Sequence, residues 1–333
     1  MFKKILVSLD GSEIAESILP FVSTIASGLN IPVVLATVVD PDAIDASPVS
    51  FQTTQKPQLG LPTSGPLVVS DRSSPDTPAV YRTQLEETAK VAAENSLRKV
   101  ALRLSDAGVE ASVTSSLGSA AEEIVRLAER QGCDLIAMAT HGRSVLGRAV
   151  LGSVTDKVVH SSHIPTLTLT PEGVESWWQK GVALSRVIVP LDGSDLAETA
   201  LPYARALALG LSLEIVLVRA VKPRHIYDLY AYYPYVGTED LEIEVEQSVS
   251  EYLETIAADL RSSGLNARWE VLKGQYAAAI VDFAKGAYED IVVLTTHGHS
   301  GLTRWVLGSV TEALVRSSGD PVLIIPPGQA DGA

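Results

Sequence analysis

The sequence is short of cysteine, of basic charge and of long apolar runs, and each shortage removes a class of protein. One cysteine, Cys133, in 333 residues cannot pair within the chain and supplies no Cys/His cluster for a zinc site, which points to a reducing, cytoplasmic setting. No stretch reaches about 18 consecutive apolar residues, so no membrane partner is expected. The opening MFKKILVSLDGSE has only a brief apolar run ending in Asp10, too short for a signal segment. With 26 basic against 40 acidic residues the formal charge is -14, which opposes the phosphate attraction on which nucleic-acid binders rely. A nucleic-acid partner is therefore not expected. What the chain has in quantity is apolar material: 46% hydrophobic against 20% charged residues excludes wholesale disorder. The length suits two domains of roughly 150 residues.

The chain also repeats itself. KKILVSLDGSEIAESILPF at 3–21 returns as SRVIVPLDGSDLAETALPY at 185–203, and THGRSVLGRAVLGSVTDKV at 140–158 returns as THGHSGLTRWVLGSVTEAL at 296–314. Asp10 and Asp192 are 182 residues apart, whereas Gly152 and Gly308 are 156 apart, so the first copy carries 26 extra residues. Pro41 and Pro223 keep the larger offset and Gly108 and Gly264 the smaller, which places the insertion between those landmarks.

Each copy alternates short β-rich runs with longer helical segments, the pattern of a parallel sheet with crossover helices. In the first copy strands are expected at 5–9, 32–39, 110–116, 134–140 and 165–170. A first helix is expected after Asp10, with Glu13 as its capping-box partner, and a second from about Gln84 to Asp106, stopped by Gly108. A third ends at Gly132, and a fourth runs from near Ser153 to before Pro165. Apolar runs such as VVLATVV, nearly continuous, imply strands covered on both faces. In such a doubly wound sheet a ligand belongs at the carboxyl ends of the strands, where strand order reverses. That selects Asp10, the segment Val38 to Asp40, and Thr140 to Gly142.

Two segments fall outside this scheme. Residues 41–80 hold seven of the 18 prolines, which rules out a continuous helix and favours a long loop. The matching segment of the second copy holds Tyr227, Tyr230, Tyr232, Tyr233 and Tyr235, half of the ten tyrosines; it reads either as an aromatic lid or interaction patch, or as packing of the loop onto its own domain. Residues 171–184, with Trp177 and Trp178, read as a linker whose tryptophans pack between domains.

The chemistry is concentrated after the fourth strand. Gly142 is followed by Gly152-Ser153, and Gly298 stands at the same distance from Gly308-Ser309. Glycines let an anion approach main-chain N–H groups, and Ser153 and Ser309 open helices whose first N–H groups are unpaired. Around this motif the charge is locally positive, +2 over 141–160 and +1 over 297–316, with Arg143 and Arg148 contributing in the first copy. The plainer reading is a turn glycine followed by a glycine-serine helix cap; recurrence at fixed spacing in both copies favours an oxyanion cradle.

These residues together, the strand-Asp-Gly-Ser start, THGRSVLGRAVLGSVT and a closing proline-led strand, resemble the universal stress protein family in tandem form. The resemblance covers nearly the whole chain apart from 41–80 and the linker. It implies an α/β fold of two tandem doubly wound domains, each a five-stranded parallel sheet of order 3-2-1-4-5 flanked by helices, akin to the adenine nucleotide alpha-hydrolases. The domains would span 1–170 and 185–327. It implies ATP, with Mg²⁺, as ligand. The family's ATP-binding branch carries G-x-x-G-x9-G-[S/T], which maps onto Gly142, Gly152 and Ser153, with Arg143 beside them, and onto Gly298, Gly308 and Ser309. The first glycine of the pattern is replaced by Ala139 and by Thr295; β-branched Thr295 is the larger departure, so the first half is the closer match. By the same resemblance Asp10 and Asp192 approach the nucleoside, and Val38 offers main-chain bonds to adenine, with Ala220 its counterpart. The D-x-x-[ED] spacing of both aspartates equally explains a helix N-cap. The resemblance also implies that the fifth strands of the two halves pair in an intrachain pseudo-dimer, and leaves open a homodimer and an unidentified protein partner.

Three functions compete at this level: an adenine-nucleotide-binding stress-response module that acts by binding, a nucleotide-free interaction scaffold, and a slow ATP hydrolase. GRSVLGRA at 142–149 imitates a P-loop, but Arg148 and Ala149 stand where lysine and Ser/Thr are required and the second copy lacks the pattern. His141 and His297 lie beside the cradle without a sequence-adjacent acid to orient them. No catalytic residue and no resident metal ligand is assigned.

Overall fold

The computed structural model describes residues 1–42, 79–140, 151–170, 182–222, 238–284, 289–296 and 307–327, with the side chains of 79–82 and 238–242 excepted. Most of the proline-rich segment, Trp177 and Trp178, the tyrosine-rich loop, and His141, Gly142, Arg143, His297 and Gly298 lie outside the described residues.

In the first half the elements are β1 (Ile5–Ser8), α1 (Glu13–Glu16), α2 (Leu19–Leu29), β2 (Val33–Val39), α3 (Ala79–Asp106), β3 (Ala111–Leu117), α4 (Ala120–Gln131), β4 (Leu135–Ala139), α5 (Ser153–Ser161) and β5 (Thr166–Leu169). The second half repeats them as β6 (Arg186–Pro190), α6 (Asp195–Glu198), α7 (Leu201–Leu211), β7 (Glu214–Val221), α8 (Thr238–Ser262), β8 (Ala267–Lys273), α9 (Tyr276–Ala284), β9 (Asp290–Thr295), α10 (Ser309–Ser317) and β10 (Val322–Ile325). Helix α3 starts five residues before the Gln84 expected from the sequence and ends where Gly108, at φ 83, turns the chain. The helix expected after Asp10 is divided: Pro20 enters at the start of α2, where its missing N–H costs nothing.

Ten strands form one sheet in the order β3-β2-β1-β4-β5-β10-β9-β6-β7-β8. Within each half all pairings are parallel in the order 3-2-1-4-5, as the repeat and its apolar strands imply. Valine-rich β2 and β7 are buried over most of their length because helices cover both faces. The halves join through β5 and β10, which pair antiparallel with Leu167 opposite Leu323. Thr168 Oγ1 adds a hydrogen bond to the Val322 carbonyl at 3.3 Å. Beneath this seam α2 and α7 pack at a reciprocal glycine contact. A Cβ on Gly28 would lie 2.4 Å from Leu211 Cδ2, and one on Gly210 would lie 2.3 Å from Leu29 Cδ2. Close approach of the helices therefore requires glycine on both sides. A single apolar core runs through the contact, from Phe21 and Ile25 of one half to Leu207 and Leu217 of the other.

The two halves diverge at the amino ends of their strands. Asp134 accepts main-chain N–H groups of Lys3 and Lys4 at 2.9 and 3.1 Å. Its repeat equivalent Asp290, fully buried, takes a bidentate Arg186 guanidinium at 2.8 and 2.6 Å. Beside it Asp320 replaces the buried Ile164 of the first half, and neither of its carboxylate oxygens has a hydrogen-bond partner among the described residues. Burial first, then repulsion by Asp290, raises the Asp320 pKa to about 7, with Arg186 opposing. In the unfolded chain the same carboxyl ionises near about 4. Its contribution to stability is therefore complete below about pH 4 and declines between about pH 4 and 7. Asp320→Asn, which keeps the shape of the neutral acid, should raise the melting temperature by a few degrees at about pH 8 and leave it nearly unchanged at about pH 4. Equal shifts at both pH values in a thermal melt would contradict this account.

Candidate functional site

The Asp-Gly-Ser sequence after the first strand of each half builds a turn rather than the expected aspartate cap. Ser12 is the N-cap of α1: its hydroxyl accepts the Ala15 N–H at 3.1 Å and donates to Asp10 Oδ1 at 2.6 Å. Asp10 Oδ1 also accepts the Ser12 N–H at 2.9 Å. Asp192, Ser194 and Ala197 reproduce the arrangement at 3.0, 2.6 and 3.2 Å. The serine, immediately before the helix and two residues closer than the aspartate, caps it, and the aspartate holds the serine. Glycine between them is obligatory, since Gly11 and Gly193 sit at φ 77 and 87.

The next strands over end later, which opens a crevice. Leu9 N–H donates to the Ala36 carbonyl at 2.9 Å, and Leu191 N–H to Val218 at 2.9 Å; these are the last bonds the central strands make to β2 and β7. On the far side Gly118 N–H donates to Val39 and Gly274 N–H to Val221, at 3.1 and 3.0 Å. Main-chain groups alternate sides along a strand, so Val38 and Ala220, two residues beyond Ala36 and Val218, turn their N–H and C=O toward the space the central strand has vacated. A donor and an acceptor are thus presented side by side at each crevice.

At the opposite wall, Gly152 and Gly308 are the N-caps of α5 and α10, at φ -58 and -60. These angles suit any residue, so no left-handed backbone requires glycine at either cap. Their own N–H groups are not available to a ligand: Gly152 donates to the Thr140 carbonyl and Gly308 to Thr296, each at 2.8 Å. The expected cradle therefore rests, without the glycine N–H groups, on the first-turn N–H groups of Ser153 to Thr155 and Ser309 to Thr311, which have no acceptor within the helix. Buried Thr155 and Thr311 anchor those turns, each donating at 3.0 Å to the carbonyl of Ala139 or Thr295. The replacement of the motif's first glycine by Ala139 and Thr295 thus leaves the same backbone geometry in both halves.

In the second half these features meet in one cavity of about 650 Å³, within the range of small-molecule sites. Asp192, Ala220, Gly308 and Ser309 all line it, as do Thr295 and Thr296 at the end of β9. Sequence reasoning missed four further residues. Arg219 and Lys222, at the end of β7, line the cavity. The Arg219 guanidinium lies over the Tyr252 ring at 5.4 Å and against Gly193, whose Cβ, if present, would stand 2.7 Å from Nη1. Lys222 Nζ lies 4.3 Å from the centre of the Tyr276 ring. Tyr252 donates to Glu198 Oε1 at 2.9 Å, and burial leads that bond in pushing its pKa well above the phenol range. Comparing ATVVD with VRAVK at the matched strand ends would have exposed the two added cations. Among the described residues no group of three or more His, Cys, Asp or Glu is placed to hold a metal ion. Cys133 is buried elsewhere, its thiol pushed up to about 11 by desolvation, so it serves packing rather than redox chemistry. Among the described residues no helix is long and apolar enough to cross a membrane.

Fold and crevice define a tandem doubly wound α/β protein with ligand space at the carboxyl ends of its strands. The universal stress protein family model matches residues 66–169 and 184–326, and the chain belongs to that family. It is similar to a universal stress protein of Methanocaldococcus jannaschii, 31% identical over 155 residues, which span 43% of this chain and 96% of the relative. It also resembles one of Mycobacterium tuberculosis (strain ATCC 25618 / H37Rv), 23% identical over 320 residues and 96% of each chain. The crystal structure of a universal stress protein from Archaeoglobus fulgidus DSM 4304 superposes with a TM-score of 0.63 at 19% identity, covering 98% of both chains. That likeness shows the shared tandem fold.

Removing one anchor tests the geometry. Thr311→Val loses the buried hydrogen bond to the Thr295 carbonyl, which should destabilise the chain by about 0.5–1.5 kcal/mol in a urea titration. Thr311→Ser, which keeps the hydroxyl, should recover most of the loss; no difference between the two variants would remove the anchoring role.

Proposed function

We propose that the chain is an adenine-nucleotide-binding module that acts by binding rather than by rapid turnover, with ATP as its nucleotide. The observation that carries this reading is the convergence of Asp192, Ala220, Gly308 and Ser309 on a single cavity, although they are dispersed through the second half of the sequence. The adjacent donor and acceptor of Ala220 suit the edge of a purine, Asp192 stands where a ribose hydroxyl would be met, and the first turn of α10 offers N–H groups to phosphates. Val38, Asp10, Gly152 and Ser153 repeat the backbone arrangement in the first half. Each helix-terminus contact contributes only about 0.3–2 kcal/mol, so the roughly 8 kcal/mol of micromolar affinity must come from all three regions together.

Membership of the universal stress protein family supports a binding role, and the carboxylate of the cavity wall, Asp192, is already engaged by Ser194. Any Mg²⁺ would be brought on the phosphates, the usual mode for this ion. The family and the lone buried thiol fit a cytoplasmic protein, divided as modules 1–170 and 185–327 with a linker at 171–184.

Calorimetric titration of the full chain with ATP should give a dissociation constant in the micromolar range. Gly308→Arg, tolerated by the backbone but filling the cavity mouth, should abolish binding in the second half with the circular dichroism spectrum unchanged. Undiminished ATP uptake by that half would overturn the proposal, as would turnover rising into the range of ordinary enzymes, about 1 s⁻¹ or faster.

A further inference from the structure

The backbone frameworks of the two crevices match bond for bond, but their side chains do not. Applying the repeat offsets, Arg219 and Lys222 correspond to Thr37 and Asp40, and Tyr252 and Tyr276 to Ser96 and Ala120. The second crevice has therefore gained two cations and two aromatic rings, and the first carries an acid at the position of Lys222. The gains are paired with each other, Arg219 over Tyr252 and Lys222 over Tyr276. Among the described residues neither cation is in an ion pair, although both line the cavity. Asp40, by contrast, points its carboxylate back to its own turn, accepting the Asp42 N–H at 3.0 Å.

Two cations outside any ion pair among the described residues, on the wall of a partly desolvated cavity, raise the affinity for anions, because the interaction is stronger there than in bulk water. The rings hold the cations in place without neutralising them, and cost the site no charge. Gly193 leaves room for the guanidinium where it lies, since a Cβ there would stand 2.7 Å from Nη1 and displace it. Resting on the nucleotide reading of the site, we infer that the two halves are not equivalent. The second half is the tight site for a phosphate-bearing nucleotide, and Arg219 and Lys222 are the residues that distinguish a nucleotide from its neutral nucleoside. Phosphates then meet positive potential from two directions, the first turn of α10 and the end of β7. This order of preference is the reverse of the one suggested by Ala139 and Thr295, because those positions differ only in a side chain at a strand end whose backbone contacts are the same.

Titration of the full chain with ATP and, separately, with adenosine tests this. The wild-type isotherm should show one tight ATP site per chain. Arg219→Thr with Lys222→Asp, which installs the first-half residues, should weaken that site about tenfold or more, while adenosine affinity changes by less than about threefold. Lys222→Asp alone, at a half-exposed strand end, should show the same selectivity to a smaller degree and guards against misfolding of the double variant. The reciprocal Thr37→Arg with Asp40→Lys should strengthen ATP uptake by the first half. Two equal tight sites in the wild type, or equal losses for ATP and adenosine, would overturn the inference and leave the nucleotide reading standing. A wild-type chain that takes up no ATP would overturn both.

Discussion

The crevice exists because the central strand of each half stops short. Leu191 spends its N–H on the Val218 carbonyl, the chain then leaves the sheet through the Asp-Gly-Ser turn, and β7 continues without it to Val221. A peptide group exposed in this way beside a buried strand needs a partner. Everything else around the site responds to that shortfall. The turn requires Gly193 and the Asp192–Ser194 pair, the pair caps α6, and the space left over is closed on the far side by α10. The first half meets the same constraint with Leu9, Ala36 and the Asp10–Ser12 pair.

Joining two such halves edge to edge answers a separate problem. The fifth strand of a single copy would expose an apolar edge able to pair with another chain. Here each copy covers the other's, and the helices beneath come together at Gly28 and Gly210, so one apolar cluster runs from one half into the other. The arrangement is pseudo-symmetric in the way that dimers are: equivalent positions face one another, with Leu167 opposite Leu323 in the strands and Gly28 and Leu29 against Gly210 and Leu211 in the helices. Covalent duplication has released the two copies from having to remain identical elsewhere, and the amino ends of the strands show it: a main-chain clamp on Asp134 in one half, a bidentate arginine on Asp290 in the other, and a buried carboxyl at Asp320, without a hydrogen-bond partner among the described residues, where the first half keeps Ile164.

Much of this was written in the sequence in a form that local physics can read. Repeats, valine-rich strands and the glycines ending α3 and α4 fixed the order of elements, because those features act through nearest neighbours. The site was legible in part. Gly308 and Ser309 follow from the motif and Asp192 and Ala220 from the family resemblance, and the four line one cavity; yet serine caps where the spacing also allowed aspartate, and the glycine N–H groups are taken by Thr140 and Thr296. Those outcomes depend on the path the chain takes through each turn, which spacing alone does not encode. Arg219 and Lys222 escaped notice for a different reason. A cation at a strand end is ordinary until the strand that would have covered it is known to be missing.

The antiparallel seam between β5 and β10 fixes one more property. All strands of the first half run with β5 and all strands of the second with β10, so the carboxyl ends of the two sets face opposite directions and the two mouths open on opposite rims of the sheet. Their occupants cannot touch, and no small surface can grip both at once. Each mouth is therefore reached from its own side of the sheet, so the chain presents two separate faces rather than one.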